Sequence, residues 1–430
     1  MRGLARGIFD HALAKCSIPA AFARNVRYEG AQLYIGEERY DLNSFSRVSV
    51  ISIGKAGHSM AEALSTIVPI GIRGIVACPT PPQTQVVGFQ YFFGGHPLPN
   101  EDSVRGGSAI LEFLRALPER SLVLFLISGG ASAVAEMPIL PSLTLSDIVE
   151  TYRALVHSGA PITEINAIRK HLSAIKGGRL AQAAVPAAQV SLLVSDVPDQ
   201  ALDALASGPT MPDSSTIADC YTIAERYAMR SHFPERVRDM FDGRQLQETP
   251  KPGDPAFRNS RHVTVLSNRT AVSAAAERAR LHGFAVEIDN RCDDWDYARV
   301  ADYLLGRVRE MRRTVSRVCL LSGGEVTVTV GDDSGMGGRN QQFALYCAQK
   351  IEGDAVTVLS AGTDGIDGNS PAAGAVVDGS TVARARQRGC DPAAALSQFD
   401  AFPLLESIGD AIVIGPTGNN VRDLRILLAY

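Results

Sequence analysis

Short apolar runs recur along the chain, and each ends in a loop of glycine and small polar residues before a helical pattern begins. The clearest runs are VSVISI, LVLFLI, VSLLV, HVTVL, VCLL, AVTVL and AIVI, which start at residues 48, 122, 190, 262, 318, 355 and 411. Continuous apolar runs of this length are typical of strands that are buried on both faces. Because helical stretches alternate with them, the pattern predicts a parallel, doubly wound α/β architecture.

One polar stretch, residues 241–260, interrupts this alternation. It contains three prolines and two glycines and has neither helical nor strand periodicity, which is typical of a linker. The sequence therefore predicts two α/β domains, a Rossmann-like N-terminal domain over residues 1–240 and a C-terminal domain over residues 241–430. The pattern leaves open whether a last strand near residues 410–430 returns to the N-terminal domain.

Charge and cysteine content exclude several classes of protein. The 42 basic and 46 acidic residues give a net charge of −4, which argues against a nucleic-acid-binding surface over the whole chain. The seven cysteines are scattered without a C-x-x-C pair, as expected for free thiols in a reducing compartment rather than for disulfides or structural zinc. No apolar run is long enough to span a bilayer, and no secretory signal pattern is present. We expect a cytoplasmic protein without membrane or nucleic-acid partners.

The loops that follow the predicted strands indicate the ligand. Ligands of open α/β sheets bind outside the carboxyl ends of the strands, where glycine lets backbone N–H groups approach an anion. Seven such loops in one chain favour an anionic ligand, and a phosphorylated one above all. Tight turns between strands and helices also require glycine, so turn geometry alone explains any single loop equally well.

The chain has only six lysines, and Lys55 follows the first strong strand as part of Gly54-Lys55. An ammonium group at the start of a helix can neutralise a phosphoryl oxygen. The motif is not a P-loop, because Ala56 stands where Ser or Thr is required. The alternative interpretation of Lys55 is an exposed surface lysine.

A basic helical pattern covers residues 163–185, with Asn166, Lys170 and Lys176 spaced along it. Such spacing places neighbouring charges on shared helix faces. The pair Gly177-Gly178 is unfavourable inside a helix and predicts a helix break or a close backbone contact. A ligand-binding face and a solvated basic face explain the pattern equally well.

Acidic residues in three other loops are candidates for Mg²⁺ binding or for a general base. They are Asp196, Glu325 and Asp364, with Asp367 close to the last. Mg²⁺ prefers one or two carboxylates together with water and substrate phosphates.

Two further loops carry candidate ligand-binding residues. Gly338-Arg339 precedes a helical run and suits a phosphate clamp, and His96 lies in a glycine-proline loop that could contact a ligand. The sequence contains neither a G-x-S-x-G elbow nor a zinc-ligand pattern.

Together the loops resemble one known family. The motifs are IGKAGHSMAEAL, HPLPNEDSVRGG, LISGGASA, NAIRKHLSAIKGGRLA, VSDVP with ASGPTMPD, LSNRTA, LSGGEVTV, GGRNQ, SAGTDGIDG with AAGAVVDG, and TGNNVRDLRILL. In this order they resemble the glycerate 2-kinase family, which is also called the MOFRL family after its C-terminal domain. The resemblance extends from about residue 48 to residue 430.

The resemblance implies two α/β domains with the active site in a cleft between them. It implies transfer of the γ-phosphoryl group of ATP, with Mg²⁺, to the 2-hydroxyl of D-glycerate, which gives 2-phosphoglycerate. It makes Lys55 the essential phosphate-binding lysine, Arg339 its counterpart in the C-terminal domain, and Asp196 an acid near the metal or the hydroxyl. The remaining residues expected to bind the cofactor are Gly54, Ser128, Gly129, Gly130, Lys176, Ser322, Gly323, Gly324 and Gly338.

Several positions depart from the family pattern. The pattern G-R-N-Q-E ends here in Gln342, which removes a carboxylate expected beside Arg339, and S-D-V-x-G-D is altered by Asp199 and Gln200. The other departures are Ala131, Ile366 and Asn419. These changes leave open which hydroxy acid is the substrate.

Two other functions remain open at this point. Some family members carry an older name of hydroxypyruvate reductase, which would require NAD(P)H, but the first strand ends in GKAGHS rather than in G-x-G-x-x-G. The changes at Gln342 and Gln200 suggest a protein that binds a nucleotide or a sugar acid without turnover. Nothing in the sequence fixes the oligomeric state, and a homodimer is one candidate.

Overall fold

The structure is a computed structural model that describes residues 1–69, 71–331 and 334–430, with the backbone only at Asp199. Its strands are β1 (Val26–Glu29), β2 (Gln32–Ile35), β3 (Glu38–Asp41), β4 (Arg47–Ile53), β5 (Arg73–Cys78), β6 (Phe89–Phe93), β7 (Ser121–Ser128), β8 (Ala188–Val194), β9 (Ser260–Leu266), β10 (Ala285–Ile288), β11 (Val318–Gly323), β12 (Val356–Gly362), β13 (Gly374–Asp378), β14 (Ala411–Ile412) and β15 (Asp423–Ala429).

The α-helices alternate with these strands over most of the chain. They are α1 (Arg2–Lys15), α2 (Ile18–Asn25), α3 (Gly57–Ile67), α4 (Glu101–Arg115), α5 (Ala131–Val134), α6 (Leu145–His157), α7 (Ile162–His171), α8 (Arg179–Ala183), α9 (Ile217–Arg226), α10 (Glu235–Asp242), α11 (Asn268–Leu281), α12 (Tyr297–Met311), α13 (Arg339–Lys350), α14 (Thr381–Gln387), α15 (Pro392–Ser397) and α16 (Ala401–Ser407).

The chain forms two compact units. One contains residues 21–265, and we call it the inner unit; the other contains residues 1–20 and 266–430, and we call it the split unit. The division differs from the boundary that the linker pattern predicts at 240/241. Strand β9 joins the sheet of the inner unit and draws residues 241–265 into it, while the apolar side chains of α1 pack into the core of the split unit.

The sheet of the inner unit has the predicted parallel character. Its strand order is β6-β5-β4-β7-β8-β9, and the pairs β6–β5, β5–β4, β4–β7 and β7–β8 are parallel. Every residue of β7 is buried, as the continuous apolar run predicts for a central strand. Because Ile53 pairs with Ile127 and Ser128 pairs with Val194, the strands β4, β7 and β8 end at one edge of the sheet.

The sheet of the split unit is mixed, and here the expectation of a parallel sheet is only partly met. Its order is β10-β11-β15-β12-β13-β14, in which β10–β11 is parallel and the other pairs are antiparallel. Two strands lie near residues 410–430, where the sequence left the domain of the last strand open. The apolar run AIVI at residue 411 forms only the short edge strand β14 beside β13, and the sequence pattern did not predict β15. Strand β15 lies between β11 and β12 and therefore belongs to the split unit. Apolar runs do not reveal strand direction, which explains the difference.

The basic pattern at residues 163–185 is broken, as Gly177-Gly178 predicts. Helix α7 ends at His171 and α8 begins at Arg179, with Gly177 and Gly178 at φ values of +56° and +83°. Such values favour glycine.

Among the described residues, none of the helices is both long and apolar enough to cross a membrane.

Candidate functional site

Gly54 brings the chain from β4 into close contact with the end of β7. Its φ is +123°, and a Cβ atom at this position would lie 2.4 Å from Ser128 Oγ and 2.6 Å from the Ser128 carbonyl oxygen. Any side chain here would clash with backbone, so the position requires glycine. The glycine of the Gly54-Lys55 motif thus serves a close approach of two strand ends.

Two hydrogen bonds fix the backbone that carries Lys55. The Lys55 N–H donates to the Gly129 carbonyl oxygen at 2.9 Å, and the Ala56 N–H donates to Ser128 Oγ at 3.1 Å. Ser128 is buried, whereas Lys55 is exposed. The backbone of Lys55 is therefore held rigidly while its side chain stays accessible to a ligand.

Asp196 lies against the same loop. It follows β8, and a Cβ atom on Gly129 would lie only 1.9 Å from Asp196 Oδ2. A Cβ atom on Gly130 would lie 3.1 Å from Lys55 Cγ. The structure thus gathers Gly54, Lys55, Ser128, Gly129, Gly130 and Asp196, which we call the lysine cluster. The sequence analysis proposed all six: Gly54-Lys55 and Asp196 from the loops that follow strands, and the roles of Ser128, Gly129 and Gly130 from the family resemblance.

His96 adjoins the lysine cluster. Its Cδ2 atom would lie 3.0 Å from a Cβ atom on Gly130. Partial burial and the neighbouring Lys55 ammonium both lower the pKa of the His96 imidazole, so the ring is neutral at pH 7. A neutral imidazole next to an ammonium group can accept a hydrogen bond without repelling the lysine.

In the split unit, Arg339 is the centre of a second group. Its Nε donates to Asp423 Oδ2 at 2.7 Å and its Nη2 to Asp423 Oδ1 at 3.1 Å, and Nη2 also lies 2.8 Å from Glu325 Oε1. Asp423 is buried, whereas about a third of the Arg339 side chain is exposed. We call Arg339, Glu325 and Asp423 the arginine cluster.

The charged groups of the arginine cluster shift one another's pKa values. Burial lowers the pKa of the Arg339 guanidinium, but the carboxylates of Asp423 and Glu325 outweigh burial and raise the pKa above its ordinary value. Burial and the carboxylate of Asp423 raise the pKa of Glu325, against the opposing effect of Arg339. A site with one fixed cation between two carboxylates can clamp a phosphoryl group or share a divalent cation.

Sequence reasoning missed Asp423 and a neighbouring ion pair. Both Nη atoms of Arg422 donate to the carboxylate of Asp293 at 2.6 Å, and Asp293 Oδ1 accepts the Glu325 N–H at 2.9 Å. The only available signal was the presence of Arg422 and Asp423 in the motif TGNNVRDLRILL. Their role depends on β15 lying beside β11, which the sequence pattern does not reveal.

The Ser322-Gly323-Gly324 loop that precedes Glu325 is crowded by polar groups. A Cβ atom on Gly323 would lie 1.7 Å from Asn268 Oδ1, and Gly324 has a φ of +95°. Both positions therefore require glycine. Ser322 is fully buried, and its Oγ has no hydrogen-bond partner among the described residues.

The N-terminus of α13 is capped from within the protein. Asp367 is buried and accepts hydrogen bonds from the N–H groups of Asn340 at 3.1 Å and Gln341 at 2.9 Å. A Cβ atom on Gly338 would lie 2.3 Å from Asp367 Cγ. Asp367 thus takes the place at the helix start that an anionic ligand could use, and Gly338 serves this contact.

A pH dependence of stability follows from Asp367. Burial raises its pKa to about 6, although the hydrogen bonds from Asn340 and Gln341 oppose the change. Between about pH 4 and about pH 6 the folded chain holds a proton here that the unfolded chain releases, so the contribution of Asp367 to stability falls as the pH rises and is constant above this interval. The fall amounts to about 3 kcal/mol at most.

Urea unfolding of the wild type and of Asp367→Asn across pH 4 to 8 measures this contribution. We expect the stability of the wild type relative to the variant to decrease between about pH 4 and about pH 6 and then to level off. A difference that stays constant over the whole range would contradict the assignment.

The three candidate metal ligands are divided between the two units. Asp196 belongs to the inner unit, whereas Glu325 and Asp364 belong to the split unit. Within the part of the chain that the structure describes, no group of three or more His, Cys, Asp or Glu side chains is arranged to hold a metal ion. A Cβ atom on Gly362 would lie 2.9 Å from Asp364 Oδ1 and 3.4 Å from Asp423 Oδ1, so these two carboxylates flank one point. Two carboxylates suit Mg²⁺ that is also bound by phosphate oxygens.

A cavity of about 280 Å³ opens beside Arg339. Its lining combines apolar side chains with exposed backbone, and the residues are Val328, Val330, Ser334, Gly335, Gly337, Gly338, Arg339, Gln342, Gly368, Asn369 and Phe399. Apolar walls with a few polar groups are typical of small-molecule sites. The cavity thus places an apolar surface next to a cation.

Lys176 is enclosed within the inner unit. It is 1% exposed, and its ammonium contacts the buried carboxylate of Glu136 and, at 3.2 Å, the hydroxyl of Tyr152. Burial lowers its pKa, although Glu136 opposes the change. An ammonium that is enclosed and paired in this way stabilises the break between α7 and α8. This position gives no support to the expected contact with a cofactor.

Lys170 is also buried rather than on a solvated face. Its Nζ lies 3.0 Å from Asp213 Oδ1 and 3.3 Å from Asp203 Oδ2. It lines a cavity of about 440 Å³ between α7 and α9, in which Asn166 also takes part. The interpretation of this pattern as a solvated basic face is therefore wrong for Lys170 and Lys176.

The residues that depart from the family pattern have different environments. Ala131 is buried at the start of α5, Ile366 is 47% exposed, and Asn419 Nδ2 donates to the Cys16 carbonyl oxygen at 2.6 Å. Gln200 is exposed, and the side chain of Asp199 lies outside the described part of the structure.

Gln342 is not placed as expected. It is buried and donates from Nε2 to the Leu396 carbonyl oxygen at 2.8 Å, while Arg339 already pairs with Asp423 and Glu325. The departure therefore does not remove a charge that Arg339 needs.

Gln342→Glu should lower stability by about 1–3 kcal/mol at pH 7, because a buried carboxylate would face the Leu396 carbonyl oxygen. Burial raises the pKa of the new carboxyl group, so the loss should shrink below about pH 5, where the protonated group can donate. Thermal unfolding at both pH values tests this expectation. The exposed Gln398, as Gln398→Glu, is the matched control and should stay within about 0.5 kcal/mol of the wild type. Equal stability of both variants at pH 7 would refute the assigned contact.

Comparison with known proteins identifies the family. One family model, described as a domain of unknown function (DUF4147), matches residues 4–242, and the MOFRL family matches residues 318–423. The D-glycerate 2-kinase of Thermotoga maritima is 37% identical over 391 residues, which are 89% of this chain and 91% of that protein. The chain belongs to the glycerate 2-kinase (MOFRL) family. The resemblance recognised from the loop motifs is thereby confirmed.

A solved structure and a relative with a different name are also similar to this chain. The crystal structure of glycerate kinase from Thermotoga maritima has a TM-score of 0.87 at 34% identity and covers 100% of this chain and 99% of that one. A relative from Agrobacterium vitis with a provisional name of hydroxypyruvate reductase is 36% identical over 99% of this chain and 94% of its own length. Relatives in the glycerate 2-kinase family thus carry either a kinase name or a reductase name. The kinase is favoured, because the Thermotoga maritima protein and its crystal structure are both named glycerate kinases.

Proposed function

We propose that the protein transfers the γ-phosphoryl group of ATP to the 2-hydroxyl of D-glycerate and requires Mg²⁺. Kinase activity implies a nucleotide phosphate donor, and family membership supports the kinase over the reductase. The single observation that carries the proposal is the lysine cluster. There the exposed side chain of Lys55 stands beside half-buried glycine backbone and a carboxylate, on a backbone held by two hydrogen bonds.

The chemistry requires little covalent participation by the protein. A bond forms between the 2-oxygen of glycerate and the γ-phosphorus, the bond between that phosphorus and the β,γ-bridging oxygen breaks, and the hydroxyl proton leaves the acceptor. Positive charge around the transferred group stabilises the transition state. In the proposal, Lys55 and Arg339 supply this charge, and the backbone of Gly129 and Gly130 holds phosphate oxygens.

Each unit offers carboxylates that fit a bound Mg²⁺. The residues that would hold it are Asp364, Glu325 and Asp423 in the split unit, or Asp196 in the inner unit. When bound, the ion would neutralise phosphate charge. Asp196 is also the candidate acceptor of the hydroxyl proton, although a loose transition state requires proton removal only late in the reaction.

The apolar cavity beside Arg339 suits the nucleoside part of the donor. Val328, Val330 and Phe399 offer apolar contacts, and Arg339 lies where a phosphate chain could begin. Apolar walls with a few polar groups suit a nucleobase and a ribose.

A coupled assay of ADP release with ATP and Mg²⁺ tests the function, using D-glycerate and a panel of related hydroxy acids, with phosphorus NMR of the product. Phosphate on the 2-oxygen of glycerate would support the proposal. Turnover of another acid would retain the kinase and change the substrate. Absence of ADP from every acid would favour a binding protein, and oxidation of NAD(P)H with hydroxypyruvate would favour the reductase.

A further inference from the structure

Arg425 is fully buried in the sheet of the split unit and has no part in the mechanism above. It lies on β15 and pairs in register with Ser322 on β11 and with Ser360 on β12. Residues directly opposite one another on neighbouring strands point to the same face. Arg425 thus occupies an interior position, and its guanidinium lies 5.9 Å from the centre of the Phe343 ring.

The guanidinium binds the loop that leads to Glu325. Nη2 of Arg425 donates to the carbonyl oxygen of Gly323 at 2.8 Å and to that of Gly324 at 3.1 Å. Two consecutive carbonyl groups are therefore fixed by one rigid group. Because Gly324 has a φ of +95°, the chain turns at this point, and the orientation of the turn determines where Glu325 is directed.

The burial of Arg425 lowers the stability of the fold. Nε and Nη1 of Arg425 are buried and have no hydrogen-bond partner among the described residues. Burial lowers the pKa of the guanidinium, although the charge of Asp423 opposes the change. Apolar side chains of similar size commonly replace buried charges with no loss of stability. Packing alone therefore does not explain an arginine at this position.

Other contacts hold the same loop from the opposite direction. Asn290 Oδ1 accepts the Gly323 N–H at 2.8 Å, and Asp293 Oδ1 accepts the Glu325 N–H at 2.9 Å. Carbonyl oxygens and N–H groups of the loop are thus bound from different elements. The result is a Glu325 carboxylate at 2.8 Å from the Arg339 guanidinium.

We propose that Arg425 is a positioning residue that acts through the Gly323–Gly324 carbonyls and holds Glu325 in the arginine cluster. The proposal rests on the proposed function, since it assigns Arg425 to the site that the kinase reaction would use. Substrate binding at other contacts should survive its loss, whereas the geometry of the charged groups should not.

Kinetics and stability of Arg425→Met and Arg425→Lys test the proposal. In Arg425→Met we expect kcat to fall at least tenfold with KM within about threefold, and the melting temperature to stay equal or rise. Arg425→Lys keeps a donor and a charge and should recover part of kcat. As a matched control, Arg384→Met removes another arginine of the split unit, which pairs with Asp410 and donates to the Ile408 carbonyl oxygen at 2.9 Å, and should lower stability with unchanged kcat.

Trp295 gives a readout that does not depend on turnover. It is the only tryptophan of the chain, its carbonyl oxygen accepts the Thr327 N–H at 2.9 Å, and the adjacent Asp294 N–H donates to the Glu325 carbonyl oxygen at 2.9 Å. A shift of the loop should change acrylamide quenching of Trp295 fluorescence. We expect altered quenching in Arg425→Met, a smaller change in Arg425→Lys and none in Arg384→Met.

The outcomes separate the two proposals. Wild-type kcat or unchanged quenching in folded Arg425→Met would overturn the role of Arg425. If Arg425→Met does not fold, Arg425→Lys decides: reduced kcat with changed quenching supports the role, and wild-type values of either overturn it. If the wild type phosphorylates no acid, the proposed function fails, and Trp295 quenching still decides whether Arg425 holds the loop.

Discussion

Lys55→Ala is expected to lower kcat/KM for ATP-dependent phosphorylation by at least about 100-fold, which corresponds to about 3 kcal/mol of lost transition-state stabilisation. The side chain of Lys55 is exposed and makes no contribution to a core, while its backbone is held by the Gly129 carbonyl oxygen. Truncation at Cβ should therefore remove the ammonium and leave the loop intact. Stability should change by less than about 0.5 kcal/mol.

Steady-state kinetics and thermal unfolding together check this expectation. Lys15→Ala is the matched control, since Lys15 is an exposed lysine at the end of α1, distant in sequence from every candidate site residue. The control should keep wild-type kinetics. Near-normal turnover of Lys55→Ala in the presence of an active wild type would remove Lys55 from the site.

Arg339→Ala should show the second large effect, again at least about 100-fold in kcat/KM. Unlike Lys55, Arg339 also neutralises the buried carboxylate of Asp423 at 2.7 Å, so the variant should lose about 1–3 kcal/mol of stability. Arg339→Lys keeps the charge but cannot make the same paired hydrogen bonds, and we expect intermediate kinetics. Assays must run well below the melting temperature of each variant.

Arg388→Ala, at an exposed arginine that follows α14, is the control for the loss of a positive charge. It should be indistinguishable from the wild type in both kinetics and stability. If Arg339→Ala loses stability but keeps its turnover, Arg339 is a structural residue and the clamp assigned to it is wrong.

The strand ends of the inner unit were well predicted by the sequence. Lys55, Gly129 and Asp196 each follow a continuous apolar run, and in a parallel sheet such runs end at one edge. Their meeting therefore follows from the parallel sheet that the continuous apolar runs predict. The family assignment rested on the same loops and was confirmed by the comparisons.

The arginine cluster was predicted only in part, because it depends on strand order. Arg339 and Glu325 were identified from their loops, but Asp423 joins them only because β15 inserts between β11 and β12. An apolar run predicts a strand but not the strands that pair with it. The buried pairing of Lys176 with Glu136 was missed for a similar reason, since charge spacing on a helix does not report what packs against it.

The position of β15 has a consequence for the order in which the protein folds during synthesis. Residues 423–429 are the last part of the mixed sheet to leave the ribosome, yet β11 and β12 are joined only through them. Helix α1 packs against α11 as well as against β12, β13 and β15, so only its packing on the finished sheet waits for the same event, whereas residues 21–265 have their own core much earlier. Contacts between segments so distant in sequence form slowly. A ribosome-bound nascent chain halted before residue 423 should therefore carry a protease-resistant inner unit beside an exposed, unfinished sheet that chaperones can recognise.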